Sequence, residues 1–599
     1  MCAIFGIIGE YEEQQAKYAL AKLSHRGPDH CGIVQREQLF FAHQRLSIQD
    51  LHQRSHQPLV HKEILLSFNG EIYNFRELKE ALNFPFTTDS DSEVIIAAYL
   101  KWGVDFVKHL RGMFAIALLD GETLYLFRDR LGKKPLYFMH DKAFRFASEI
   151  KALVPFLHQK KMNQDALMSY LSYLTPTPPH TFFQGIQKLA AGEFLTLSNN
   201  TINIQSYYSL LENTPSLISS EEEALRSIEH TLEEAMELRL SSEVPMATLL
   251  SGGIDSATIN YYAKKQGIHA PSYTLGYEGF KKYDERANAR ESAAFLHLEH
   301  KEVVINQEQF MEASEHLFET MDEPLNDPAA IPLYLLFEEI KKDGYKVVIS
   351  GEGSDELFLG YRQYFEYLDI EQAATLAHKS WLKKYFRNNF SMNREWEWYK
   401  RVFDETLLFR TSGEKFTDLQ KNRLMRRNVK DNASLSYLQK FRDAFDASAH
   451  TDASLWYSYI DLNIFQAEHF LTKLDRVSMA HSIESRTPFL DHKLADVLFS
   501  IDPQLRYRDG VTKSLLKKVM QNKLPESTLT RKKKGFANPY MEYLIDSQKI
   551  ALIEEVNSET NLFKKEALQE YIQRAQQGSF KQHIWGLYVL SFWIKKNLL

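Results

Sequence analysis

The sequence predicts two domains in series, a β-rich α+β domain with some helix and then an α/β domain built on a parallel sheet and finished by a helical C-terminal part. The chain has 599 residues, more than one core usually supports. Through about residue 205 short apolar strands alternate with turns, and beyond Ser220 strands alternate with helical runs, the signature of a parallel sheet.

In the first domain, residues 1–205, Leu65-Leu66-Ser67-Phe68, Phe114-Ala115-Ile116-Ala117-Leu118-Leu119 and Thr123-Leu124-Tyr125-Leu126-Phe127 read as strands. A linker is expected over 206–219, where Asn213-Thr214-Pro215-Ser216 is polar and turn-forming. The second domain, residues 220–599, opens with a helix: Leu225, Ile228, Leu232 and Met236 share one face, and Ser220 with Glu223 fits a capping box. Apolar Met246-Ala247-Thr248-Leu249-Leu250 and Lys346-Val347-Val348-Ile349-Ser350 each precede a glycine turn. From about residue 360 helices dominate. Arg531-Lys532-Lys533-Lys534 is read as a solvated basic loop with no assigned role.

The composition, 44% hydrophobic and 25% charged, is that of an ordinary globular protein. Two cysteines, Cys2 and Cys31, exclude a disulfide framework and suit a reducing compartment, with Cys31 assigned to packing. No run approaches the ~18 apolar residues of a membrane span, and the first residues lack a basic leader. A cytoplasmic protein with no membrane partner is therefore expected. The formal net charge of -7 argues against a broad nucleic-acid surface and favours small charged substrates.

Removal of Met1 would leave Cys2 with a thiol and an α-amino group on one residue, a nucleophile beside its own base. The amine titrates near ~8 and the thiol near ~8.5, so the amine can take the thiol proton near neutrality. A thiolate that attacks an amide makes an oxyanion, for which the Asn69 side chain and the Gly70 N–H are candidate donors; losing one such donor typically costs ~3 kcal/mol. Arg45 and Asp91 carry the charges to grip an amino acid's carboxylate and ammonium. Read alone, Cys2 could sit in a buried first strand by accident, and Asn69-Gly70 could be a hairpin turn.

Taken with His25-Arg26-Gly27-Pro28-Asp29, Arg45-Leu46-Ser47-Ile48, Asn69-Gly70-Glu71-Ile72-Tyr73-Asn74 and Ser90-Asp91-Ser92-Glu93, this half resembles the glutaminase domain of class II glutamine amidotransferases, a branch of the N-terminal nucleophile hydrolases. The resemblance implies an α/β/β/α sandwich, attack by Cys2 on the glutamine amide, and an oxyanion hole at Asn69 and Gly70. It puts glutamine binding on Arg45, Leu46, Ser47, Ile48, Gln49, Asn69, Gly70, Glu71 and Asp91.

In the second domain Leu249-Leu250-Ser251-Gly252-Gly253-Ile254-Asp255-Ser256 joins a strand to a helix whose first N–H groups can cradle phosphate. It is not a Walker A loop, because the Gly-Lys-Ser/Thr ending is missing. The turn Ser350-Gly351-Glu352-Gly353-Ser354-Asp355-Glu356 is unusually acidic, which makes sense if Asp255 and Asp355 hold Mg²⁺ against a pyrophosphate group. The plain alternatives are a strand-to-helix connection and helix capping by Asp355 and Glu356.

This half resembles the synthetase domain of the asparagine synthetase B family and, more broadly, the N-type ATP pyrophosphatases. By that resemblance Leu250, Ser251, Gly252, Gly253, Asp255, Ser256, Leu275, Ser350, Gly351 and Lys513 bind ATP, and Glu352 serves acyl-adenylate formation and resolution. Leu474-Asp475-Arg476-Val477-Ser478-Met479-Ala480 and Glu484-Ser485-Arg486-Thr487-Pro488-Phe489-Leu490-Asp491 match helical segments around the acceptor site. Ser485 and Thr487 stand where many relatives carry a small apolar residue and valine. The implied reaction uses glutamine, aspartate and ATP with Mg²⁺: ammonia freed at Cys2 displaces AMP from β-aspartyl-AMP. The alternatives are the same chemistry on another carboxylate, such as a cell-wall diaminopimelate or a specialised metabolite, and, more remotely, an inactive scaffold or sensor. A homodimer is among the assemblies allowed.

Overall fold

The computed structural model describes residues 2–212, 217–376, 379–389, 391–508, 510–532, 535 and 537–599. Met1 and the turn-forming stretch 213–216 lie outside the described residues.

Two six-stranded antiparallel sheets make the first domain. One runs in the order Gln187–Lys188, Tyr137–His140, Phe144–Ala147, Ala3–Ile8, Leu39–Arg45, His30–Arg36, and the other Thr201–Ser206, Glu193–Ser198, Thr123–Arg128, Gly112–Asp120, Ile64–Ile72, Leu59–His61. Ile4, Phe41 and Phe146 of the first meet Leu65, Ala117 and Leu126 of the second in one buried cluster, so alternate residues of each strand fill the space between the sheets. The outer face of the second sheet is covered by the helices Phe75–Ala81 and Glu93–Trp102, through Leu78, Val94 and Ile95. The first sheet packs against Glu13–Ala21 and Gln164–Tyr173, through Ala16, Leu20 and Leu167. These are the layers of the α/β/β/α sandwich. All three strand segments picked from the sequence lie in strands of the second sheet. Asn69-Gly70 is not a hairpin turn: both residues lie inside the nine-residue strand Ile64–Ile72, paired to Ala115 and Phe114. Cys31 does not pack. It is exposed on the edge strand His30–Arg36, where every second side chain faces out.

A five-stranded parallel sheet organises the second domain, in the order His300–Ile305, Ser272–Tyr277, Met246–Leu249, Val347–Ile349, Glu484–Arg486. The helix Glu221–Leu240 opens the domain, with Ser220 Oγ accepting from the Glu223 N–H as one half of the expected box. Ile228, Leu232 and Met236 on its apolar face are fully buried.

The two domains meet through buried ion pairs. Arg26 donates to Glu149 at 2.7 Å and to both oxygens of Asp475 at 2.7 and 3.0 Å, while its Nε holds the Cys2 carbonyl at 3.1 Å. Arg128 pairs with Glu468 at 2.8 Å and Arg486 with Glu71 at 3.3 Å. Asp491 accepts from Arg111 at 2.9 Å and from Arg239 at 2.7 Å. Burial would raise the Asp491 carboxyl, but Arg239, His492 and Arg111 outweigh it and hold it far below the carboxylate range. Its stabilisation is therefore present above the ordinary carboxylate pKa near ~4 and lost only as pH falls through the lowered value. Asp491→Ala leaves Arg239 buried without its counter-ion and, among the described residues, Arg111 paired with Glu234 alone, and chemical denaturation is expected to show a loss of about 3–5 kcal/mol.

Candidate functional site

Cys2 precedes the strand Ala3–Ile8 and is buried, its Sγ facing the Leu46 carbonyl at 3.9 Å. Around it Arg45, Leu46, Ile48, Gln49, Gly70, Glu71 and Asp91 line a cavity of about 30 Å³. Asn69 lies fully buried beside them and accepts the Cys2 N–H on Oδ1 at 3.1 Å. Asn69 does not itself line the cavity, but the other end of its amide is uncommitted: among the described residues Asn69 Nδ2 has no hydrogen-bond partner. A buried amide donor left unsatisfied costs about 1–3 kcal/mol, so it is a donor waiting for an acceptor. At Gly70 a Cβ would stand 2.0 Å from the Met113 carbonyl oxygen, which excludes any side chain there.

Ser47 does not line this cavity; its N–H donates to Asp29 at 2.8 Å. The Arg45 guanidinium holds the carbonyls of Gln49, Asp50 and His52 at 3.3, 2.6 and 3.1 Å, so it shapes the following loop as well as the cavity wall. Burial pushes the Cys2 thiol up and the Asp91 carboxyl up to about 7; burial and the neighbouring Asp91 charge push Glu71 well above its usual range. Asp91 is held by the Ile72 N–H at 2.8 Å. One wall residue comes from the other domain. Glu484 lines the Cys2 cavity and pairs with Arg486 at 2.7 Å. Nothing in the first domain's sequence could have pointed to it.

The larger cavity, about 570 Å³, opens at the C-terminal ends of Met246–Leu249 and Val347–Ile349. These neighbouring strands mark the point where strand order reverses, the usual ligand crevice of an open parallel sheet. Leu250, Ser251, Gly252, Gly253, Asp255, Ser256, Leu275, Ser350, Gly351, Glu352, Asp355 and Lys513 all line it. Gly252 has φ +75°, and a Cβ there would lie 2.6 Å from that of Asn288, so the turn requires glycine. Ser256 Oγ accepts from the Ser251 N–H at 3.1 Å and donates to the Gly253 carbonyl at 3.1 Å, which fixes the loop at the start of the helix Ile254–Lys265.

Lys513 Nζ lies 2.6 Å from both oxygens of Asp255 and 2.7 Å from Asp355. Burial would lower the Lys513 ammonium, but the two carboxylates outweigh it and hold it above its usual range. Among the described residues no cluster of three or more His, Cys, Asp or Glu makes a ready cation cage. Two carboxylates converging on one point nevertheless fit Mg²⁺, which takes one or two protein oxygens and completes its shell with phosphate and water.

Two expectations change here. Arg531 is not simply solvated, because it donates to the Gly252 carbonyl at 2.6 Å, and both Arg531 and Lys532 line the cavity. A run of cations carries no spacing that would have revealed this. Lys533, Lys534 and Phe536 lie outside the described residues. The segments 474–480 and 484–491 do not surround this cavity. The first continues the helix Leu471–Met479, whereas Glu484–Arg486 is a strand of the sheet, and Asp475, Arg476, Glu484 and Asp491 face the first domain. Ser485 and Thr487 are buried outside the cavity lining. No helix among the described residues is long and apolar enough to cross a membrane.

The glutamine amidotransferase domain family matches residues 1–208, and the asparagine synthase family matches residues 227–595. Asparagine synthetase [glutamine-hydrolyzing] 1 of Bacillus subtilis is 31% identical over 627 aligned residues, covering 100% of this chain and 97% of the relative. A putative asparagine synthetase [glutamine-hydrolyzing] of Mycobacterium bovis is 30% identical over 574, covering 89% and 86%. Amidase chry2 of Gibberella zeae is 28% identical over 581, covering 88% and 85%. The chain therefore belongs to the asparagine synthase family and carries a glutamine amidotransferase domain ahead of the synthase part.

Proposed function

We propose that this protein is an ATP-dependent, glutamine-hydrolysing asparagine synthetase. The observation that carries the reading is Asn69, whose Oδ1 holds the Cys2 N–H and whose buried Nδ2 has no partner among the described residues, a donor available to an oxyanion. Once Met1 is removed, the Cys2 amine takes the thiol proton and the thiolate attacks the glutamine amide carbon. Asn69 and the Gly70 N–H stabilise the tetrahedral oxygen. Collapse, with the Cys2 ammonium giving its proton to the amide nitrogen, expels ammonia and leaves a glutamyl thioester that water hydrolyses to glutamate and the free thiol. Arg45, Leu46, Ser47, Ile48, Gln49, Glu71 and Asp91 bind glutamine, Ser47 through the loop it helps to hold.

In the larger cavity the turns at 250–256 and 350–351, with Leu275 and Lys513, bind ATP. Bound at Asp255 and Asp355, Mg²⁺ would neutralise charge on the leaving pyrophosphate. Glu352 stands at the junction of nucleotide and acceptor. The β-carboxylate of aspartate attacks the α-phosphorus, pyrophosphate leaves, and ammonia then displaces AMP. A closed route between the cavities would keep the ammonia unprotonated.

A second reading keeps this chemistry and changes the acceptor, as the amidase-named relative suggests. Pyrophosphate release from ATP and glutamine, measured across a panel of carboxylic acids, separates the two. Release that depends on aspartate is expected, and release that depends on another acid alone would replace aspartate as the acceptor.

A further inference from the structure

Beside the nucleotide turns the larger cavity has a charged wall that the sequence motifs do not touch, made by Asp327, Lys415, His469 and Lys473. Lys415 lies between the helices Arg394–Phe403 and Asp418–Leu424, and the backbone here is fixed from two directions. Its N–H donates to the Ser172 carbonyl at 2.8 Å, the Phe416 N–H donates to Leu171 at 3.1 Å, and the Lys415 carbonyl faces His583 Nε2 at 3.1 Å. Gly413 packs so closely that a Cβ would stand 2.8 Å from the Phe465 ring. The first domain and the C-terminal helix Lys581–Asn597 thus hold this loop, and its lysine enters the cavity from a preorganised backbone.

Among the described residues Lys415 forms no ion pair, although it is only half exposed to solvent. Burial and the Arg394 charge push its ammonium down to about 8, with Asp327 near enough to oppose them. Such a cation is stabilised by an incoming anion. Asp327 lies 2.9 Å from Lys473 Nζ and 3.8 Å from His469, which burial lowers to about 4 and so keeps neutral at pH 7. Lys473 in turn lies 3.8 Å from Glu352, where the wall meets the nucleotide turn. The wall therefore presents Lys415, Asp327 and Lys473 as positive, negative and positive charges, with the last beside Glu352.

We propose that Lys415 anchors the α-carboxylate of the amino-acid acceptor and so selects it. Its ammonium meets Asp327, and its side-chain carboxylate lies at Lys473, toward the α-phosphate. The inference rests on the reading of the larger cavity as the adenylation site, and it adds which residue selects the acceptor.

The test uses the full chain with ammonia as nitrogen source, so that the Cys2 site plays no part. Lys415→Met is expected to raise the KM for aspartate about tenfold or more, the loss of one charged contact, while the KM for ATP moves less than about twofold. Lys415→Arg is expected to recover most of the aspartate KM, which a merely structural lysine would not predict. An unchanged aspartate KM, or an equal rise in the ATP KM, overturns the proposal. If the wild-type protein releases pyrophosphate only with a monocarboxylate lacking an α-amino group, the acceptor reading fails as well. A protein that works with aspartate but is indifferent to Lys415 sinks this inference alone.

Discussion

Cys2→Ala is expected to lower glutamine-dependent product formation by at least about a thousandfold, because the thioester can no longer form. Ammonia-dependent formation should stay within about twofold of the parent, since nothing in the adenylation chemistry uses the thiol. The cavity around Cys2 is small and already walled, and alanine removes one sulfur without exposing a charge, so folding should be little affected. Parallel assays with glutamine and with ammonium salts read both arms. Loss of both activities together would mean that Cys2 serves something other than nitrogen release.

Asp255→Ala should reduce pyrophosphate release by about a hundredfold or more with either nitrogen source, while glutamine hydrolysis continues. Two effects combine. The variant loses one of the two carboxylates that converge on Lys513, and among the described residues the freed lysine keeps only Asp355 as a close anion. Asp255→Asn tests the charge at nearly constant shape and is expected to be almost as damaging. Pyrophosphate release at the parent rate in Asp255→Asn would remove this residue from any role at the phosphates.

Much of the architecture was legible because it is written locally. Strand periodicity located Ile64–Ile72 and Gly112–Asp120, and apolar runs that end in glycine turns located the two central strands of the parallel sheet. The nucleotide turns were legible for the same reason: Gly252 and Gly353 have positive φ, and the residue type reports the backbone. Asn69-Gly70 misled as an isolated dipeptide, since a turn pair can also sit inside a strand where a close neighbouring carbonyl excludes a side chain.

Contacts between distant segments were not legible. Glu484 reaches the Cys2 cavity from the last strand of the other domain's sheet, and Lys415 reaches the larger cavity from a loop pinned to the first domain. Arg531 looked like part of a solvated basic run, and only the fold brings it against Gly252. Charged residues at a domain interface carry no periodicity, so Asp475 and Asp491 read as part of a motif while their partners, Arg26 and Arg111, lie hundreds of residues away.

In the proposed reaction one chain passes the amide nitrogen of glutamine to an acid activated as its adenylate. This transfer is tested most directly by mass spectrometry of the products formed from amide-¹⁵N glutamine and β-carboxyl-¹⁸O aspartate. Asparagine carrying ¹⁵N and AMP carrying one ¹⁸O are expected, because the attacking carboxylate oxygen stays on phosphorus when ammonia displaces AMP. Product formed alongside AMP free of ¹⁸O, or alongside ADP and phosphate, would contradict it.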